Sequence, residues 1–148
     1  ATQEEKNKAD KVVTKVPSNP LMQNHAGKLA NSYLENAVLT ATPEELVLML
    51  YDGAIKFMNQ AVVYIQMKNV EKSHNAIIRA QDIFTELMSS LDMEYEVSKG
   101  LYSLYDFINS SLMQVNISKD ESQLRELISL TRELRETWAQ ACKMVKKG

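Results

Sequence analysis

From Pro43 to Met67 the chain carries no further proline, and small or apolar side chains recur at Leu46, Leu50, Gly53, Phe57 and Ala61. That is the spacing of one helix face, not strand alternation. Met49, Ala54, Met58 and Ile65 widen the stripe. The start is strongly marked: Thr42 can cap the first free amides, Pro43 fits the first helical position, and Glu45 can complete a capping box. Glu44 and Glu45 place negative charge at the positive end of the helix dipole. Val47, Leu48, Tyr51, Ile55, Val62 and Val63 fall outside the stripe. A helix apolar on more than one side is either central in a core or covers something that arrives later. The pattern leaves both open.

Three more amphipathic segments follow. Lys68-Asn69 makes a turn, with Asn69 as N-cap of a helix over about Val70 to Leu91. Its stripe is Ile77, Ala80, Phe84, Leu87 and Leu91, with Ile78, Ile83 and Met88 beside it. A third helix is expected over about Glu94 to Asn116, burying Val97, Leu101, Leu104, Tyr105, Ile108, Leu112 and Val115. Gly100 within it costs about 1 kcal/mol against alanine, which a close helix contact or a frayed first turn would explain. Ser118-Lys119-Asp120-Glu121 reads as a second capping box, opening a fourth helix to about Val145. Leu124, Leu127, Ile128, Leu134, Trp138, Ala141 and Val145 form its apolar side, and Lys143, Lys146 and Lys147 suit its negative end.

Short connections favour antiparallel neighbours. The prediction is an all-α chain, an antiparallel up-down-up-down four-helix bundle over residues 32–148. A flexible extension over 1–31 precedes it, because Pro17 and Pro20 break the only helical pattern there. Residues 32–41 are too short and varied for a helix, with Tyr33, Val38 and Leu39 as apolar contacts.

Composition narrows the classes. The 148 residues are 45% hydrophobic and 24% charged, with a net charge of -2. That suits one soluble domain with one sizeable core. Basic and acidic residues interleave, so no one-signed patch points to nucleic acid. No apolar run is expected to approach the roughly 20 residues of a membrane span, and the polar N-terminus resembles no targeting peptide. The single cysteine, Cys142, sits among apolar neighbours and suits a small buried or half-buried side chain. A cytoplasmic setting follows by default.

Candidate chemistry is sparse. Glu71 and His74 form an E-x-x-H pair, but a di-iron bundle needs two such pairs and two more inward glutamates. A lone helical histidine also suits a phosphotransfer bundle. There one expects a lysine and a small residue one turn on, whereas Asn75-Ala76-Ile77-Ile78-Arg79 follows here. Asp106 reads as a structural acid. No phosphate loop and no metal-ligand set is found, so no catalytic residue, metal or cofactor is expected. Among eight methionines, Met49 and Met113 read as core fillers, while Met58, Met67 and Met88 suit either core or an adaptable contact surface.

Tyr33-x-x-Asn36-x-Val38-x-Thr40-Ala41-Thr42-Pro43-Glu44-Glu45-Leu46, then Met49-Leu50-Tyr51-Asp52-Gly53, resembles the opening of the flagellin export chaperone family, FliS. The likeness continues in Lys56-Phe57, Arg79-Ala80-Gln81-Asp82-Ile83, Leu104-Tyr105-Asp106-Phe107, Val115-Asn116-Ile117, Asp120 and Leu134-Arg135-x-x-Trp138. It spans roughly Tyr33 to Lys143 in order. The resemblance implies a cytoplasmic chaperone, not an enzyme. It would bind the disordered C-terminal region of flagellin as helices in apolar grooves, prevent premature polymerisation, and deliver the client to the flagellar type III export apparatus. The export gate is then a further partner, with no nucleic acid and no direct membrane insertion. Apolar residues outside the core stripes supply contact candidates, Val47, Tyr51, Ile55, Val62, Ile78 and Met88, and the adaptable side chain of Met58 joins them. By resemblance Tyr33, with Val38, covers the client groove or meets the gate. The alternative is the phosphotransfer bundle centred on His74.

Overall fold

The computed structural model describes residues 40–147, and their side chains as far as residue 144. The expected extension over 1–31, together with Tyr33 and Val38, lies outside the described residues. Four helices follow one another: α1 (Pro43–Gln66), α2 (Val70–Ser90), α3 (Glu96–Ser118) and α4 (Glu121–Lys147). Among the described residues there is no strand.

Local chemistry sets the boundaries. At α1 the capping box is complete: the Glu45 amide donates to Thr42 Oγ1 at 3.2 Å, and the Thr42 amide donates to Glu45 Oε2 at 3.4 Å. Lys68 takes a left-handed conformation (φ 57) and turns the chain. Asn69 Oδ1 then accepts from the Lys72 amide at 3.1 Å and opens α2. The second expected capping box is corrected. Ser118 is the last residue of α3, Lys119 closes that helix at φ 57, and Asp120 Oδ1 accepts from the Gln123 amide at 3.2 Å. The left-handed turn at Lys119 leaves Asp120, not Ser118, in position to cap α4.

Contacts fix the directions. From α1 to α2, Gly53 faces Ile83, Phe57 lies under Arg79 and Tyr64 under Lys72. From α1 to α4, the Glu44 carbonyl accepts from Trp138 Nε1 at 3.0 Å, Asp52 pairs with Arg135 at 2.9 Å, and Gln66 donates to Glu121 at 3.2 Å. From α2 to α3, Thr85 accepts from Asn109 and His74 meets Asn116. In each pair one residue number rises as the other falls, so neighbours are antiparallel and the bundle runs up, down, up, down. Of the adjacent pairs, α3 and α4 meet least.

The core draws on all four helices, from Leu50, Ala54 and Met58 through Phe84, Ile108 and Leu112 to Leu124. At its middle Tyr51 and Tyr105 share a hydroxyl–hydroxyl hydrogen bond from α1 to α3, and Phe84 leans on Tyr105 with ring centroids 6.2 Å apart. Three sequence expectations fail at the ends and edges of helices. Val97 and Ala141 are exposed rather than buried, and Met113 faces solvent rather than filling the core. Val97 stands in the first turn of α3, where no neighbouring helix reaches over it. The side chain of Val145 lies outside those described. A Cβ at Gly100 would meet nothing within 4 Å, so no close helix contact accounts for that glycine.

Contrary to the expectation of no span-length apolar run, α1 passes that test, with a mean hydropathy of 1.3 in its most apolar stretch. It passes because a helix shared by several neighbours needs apolar residues on most of its circumference. Its exposed side still carries Asp52, Lys56 and Asn59.

Burial pushes the Tyr105 phenol up to about 12, and burial followed by the nearby Tyr105 pushes Tyr51 well above its usual 10. The unfolded chain ionises these tyrosines near 10 while the bundle keeps them protonated. Stability is therefore whole below that pH and is lost as pH climbs toward 12. Tyr51→Phe leaves the buried Tyr105 hydroxyl without its partner and should cost about 1–3 kcal/mol in urea unfolding. The Tyr51→Phe/Tyr105→Phe chain should recover most of that loss and unfold less steeply between pH 10 and 12. Losses that simply add would refute the pairing.

Candidate binding surface

Most of the apolar surplus of α1 is spent inside the bundle, with Val63, 50% exposed, left on its outer side. Val47 (2% exposed), Tyr51 (1%), Met58 (0%) and Val62 (5%) belong to the core, because α2, α4 and, through Tyr105, α3 all close on α1. This corrects the expectation that they lie on open surface. Ile55 and Met88 are half-buried against the same core. Ile78 is exposed, on the outer side of α2. The contact candidates are thus not brought together on one open surface.

Among the described residues α3 carries the largest share of the open apolar surface. At 100° per residue, Asn109 and Asn116 mark the flank of α3 that faces α2. Val97, Leu104 and Phe107 fall on the other flank, toward α4, and Phe107 is 57% exposed. On α4, Glu121 and Arg135 mark the flank toward α1. Leu130 and Leu134 lie roughly opposite, half-buried against the core. The side of the bundle where two helices meet least is therefore lined with aliphatic and aromatic groups. A second exposed set comprises Val70 and Ile78 on α2 with Tyr102, Met113 and Ile117 on α3.

The polar sites have local explanations. Asn116 Oδ1 accepts from Lys119 Nζ at 2.6 Å, so its amide nitrogen points to His74 Nδ1 at 2.9 Å and donates there. The exposed His74 ring is thereby tied to the end of α3. Asp106 is exposed. Among the described residues no group of His, Cys, Asp and Glu side chains could hold a metal ion. A hollow of about 440 Å³ on α4 is lined by Ser122, Arg125, Glu126, Ser129, Leu130 and Glu133. It pairs no nucleophile with a base.

The motif residues of the sequence turn out to be one another's partners. Tyr51 meets Tyr105, Asp52 meets Arg135, and Trp138 meets the carbonyl of Glu44. A match in these motifs is therefore a match in the contacts that close the bundle. The family model described as flagellar protein FliS matches residues 25–145. The chain belongs to the FliS family.

Relatives support this along most of their length. The flagellar secretion chaperone FliS of Bacillus subtilis is 36% identical over 116 residues, covering 78% of this chain and 87% of that protein. That of Campylobacter jejuni is 33% identical over 110 residues, covering 73% and 86%. The FliS chaperone of Salmonella typhimurium is 31% identical over 110 residues, covering 72% and 82%.

Sequence reasoning missed Phe107, Tyr102 and Ile117 as open apolar groups. The signal was present: all three lie outside the Tyr105-Ile108-Leu112-Val115 stripe, just as Val47 and Tyr51 lie outside that of α1. Which surplus stays open depends on how many neighbours each helix has.

Phe107→Ser should lower the fluorescence of a bound apolar dye while shifting unfolding free energy by no more than about 0.5 kcal/mol. A large loss of stability would show that Phe107 is packed rather than open.

Proposed function

We propose that this chain is a flagellin export chaperone acting in the cytoplasm. It binds the disordered C-terminal region of flagellin as amphipathic helices, blocks premature polymerisation, and hands the client to the flagellar type III export apparatus. One observation carries this reading: the side of α3 toward α4 leaves Val97 and Phe107 open beside the half-buried Leu104, where its neighbour closes least. Such a seam accepts the apolar face of a helix, the helix-in-groove mode of recognition. Family membership and the relatives' description as flagellar secretion chaperones support a client exported to the flagellum.

The energetics suit a holdase. A disordered segment loses chain entropy as it orders, so each apolar contact first offsets that cost and a long segment is needed for useful affinity. Covering the apolar faces that flagellin would use in the filament requires no catalytic group. A client that folds only on its chaperone returns to an extended chain on release, ready to thread. In this reading Ile78 is a separate contact on the outer side of α2, and the half-buried Ile55 and Met88 are contacts on α1 and α2 away from the main seam. Val47, Tyr51, Met58 and Val62 support the seam from within, and Tyr33 and Val38 act ahead of α1 on the client or the export gate.

Calorimetry with a flagellin C-terminal peptide should show one-to-one binding with a negative heat-capacity change, the mark of apolar burial. Phe107→Ser should weaken it by about tenfold, the loss of one well-packed aromatic contact. No heat with the unmodified chain at peptide concentrations of tens of micromolar, a Kd limit near 6 to 7 kcal/mol, would reject the client.

A further inference from the structure

The outer groove between α1 and α2 takes no part in the function proposed above. It holds about 190 Å³ and is lined by Gln60, Tyr64, Lys72, Asn75, Ala76 and Arg79. Ala76, small and buried, forms its floor. The two cations are held over aromatic rings of α1: Lys72 Nζ lies 5.7 Å from the Tyr64 centroid, and Arg79 Cζ lies 5.5 Å from that of Phe57. Among the described residues neither cation has a carboxylate within ion-pair distance. The side-chain amides of Gln60 and Asn75 add donors between them.

A cation resting on an aromatic face keeps its outward donors free, and the ring limits where the charge can go. Such a cation is partly ordered before any anion arrives, so a carboxylate that pairs with it loses less entropy than at a free lysine. Spacing then selects the ligand. Lys72 and Arg79 are seven residues apart, about 10 Å along the α2 axis. Glutamates at i and i+7 of a second helix have the same separation and lie within about 20° of one face.

We propose that the α1/α2 groove binds an acidic helical segment of a partner protein, whose carboxylates at i and i+7 are received by Lys72 and Arg79. The groove lies on the α2 side of α1, away from the α3/α4 seam, so both surfaces can be occupied together. The inference does not depend on the identity of the client at the seam.

The test uses the full chain and three fluorescein-labelled, alanine-based helical peptides followed by anisotropy. One carries Glu at i and i+7, the second Gln at both positions, and the third Glu at i and i+5, on different helix faces. The first should bind about tenfold tighter than either of the others, the size expected of two partly exposed ion pairs. High salt should erase that difference. Lys72→Gln/Arg79→Gln should abolish it, Arg79→Lys should keep most of it, and the distant Lys143→Gln should leave it intact. All three substituted side chains are exposed, and unchanged thermal midpoints would verify that the variants fold. Equal binding of the three peptides overturns the proposal, as does a Lys72→Gln/Arg79→Gln chain that still tells them apart. Flagellin-peptide binding measured on that double variant should be unaltered, which keeps failure at the groove distinct from failure at the seam.

Discussion

The hydroxyl pair Tyr51–Tyr105 crosses the middle of the core from α1 to α3, and it forms only because α1 is enclosed by the other three helices. Two phenols buried there must satisfy each other, since an unpaired hydroxyl in that position would cost more than the bond itself contributes. The pair thus fixes the height of α3 against α1. Around it, α2 closes on one side of α1 over Gly53 and Ile83, where even a methyl group on the glycine would press at 3.2 Å. On the other side α4 is held by Trp138 on the Glu44 carbonyl and by Arg135 on Asp52. The widest apolar face in the chain is consumed in this way.

What remains open follows from that enclosure. Helix α3 packs along α2 but has a lighter seam with α4, so several of its apolar residues stay uncovered. An exposed ring such as Phe107 is a standing cost in water and a ready contact for an apolar helix face. The polar clasps between α1 and α4, Trp138 on the Glu44 carbonyl and Arg135 on Asp52, hold α4 to α1. Stability on one side of the bundle and availability on the other are two results of one arrangement.

The motif residues take on a specific physical meaning here. Tyr51, Asp52, Tyr105, Arg135 and Trp138 are far apart in the chain, yet each finds its partner in another motif. Asp120 does the local version of the same task as the cap of α4. These residues hold α1, α3 and α4 in register. The surface that meets a partner is a consequence of that register, not a property of the motifs themselves.

Sequence periodicity alone determined the number, type and approximate ends of the helices, because capping chemistry and the 3.6-residue repeat act within a few residues of each other. Thr42-Pro43-Glu44-Glu45 and Asn69 did what their local chemistry dictates. The cap of α4 was misread by two residues, since no local pattern announces that Lys119 will turn left-handed. Only tertiary structure decided which surplus apolar residues stay open. Val47, Tyr51 and Phe107 look alike along the chain, but the first two belong to a helix on which α2 and α4 both close and the third to a helix that α4 barely covers. Burial is settled by how many helices reach a face, and that number is not carried by any single segment.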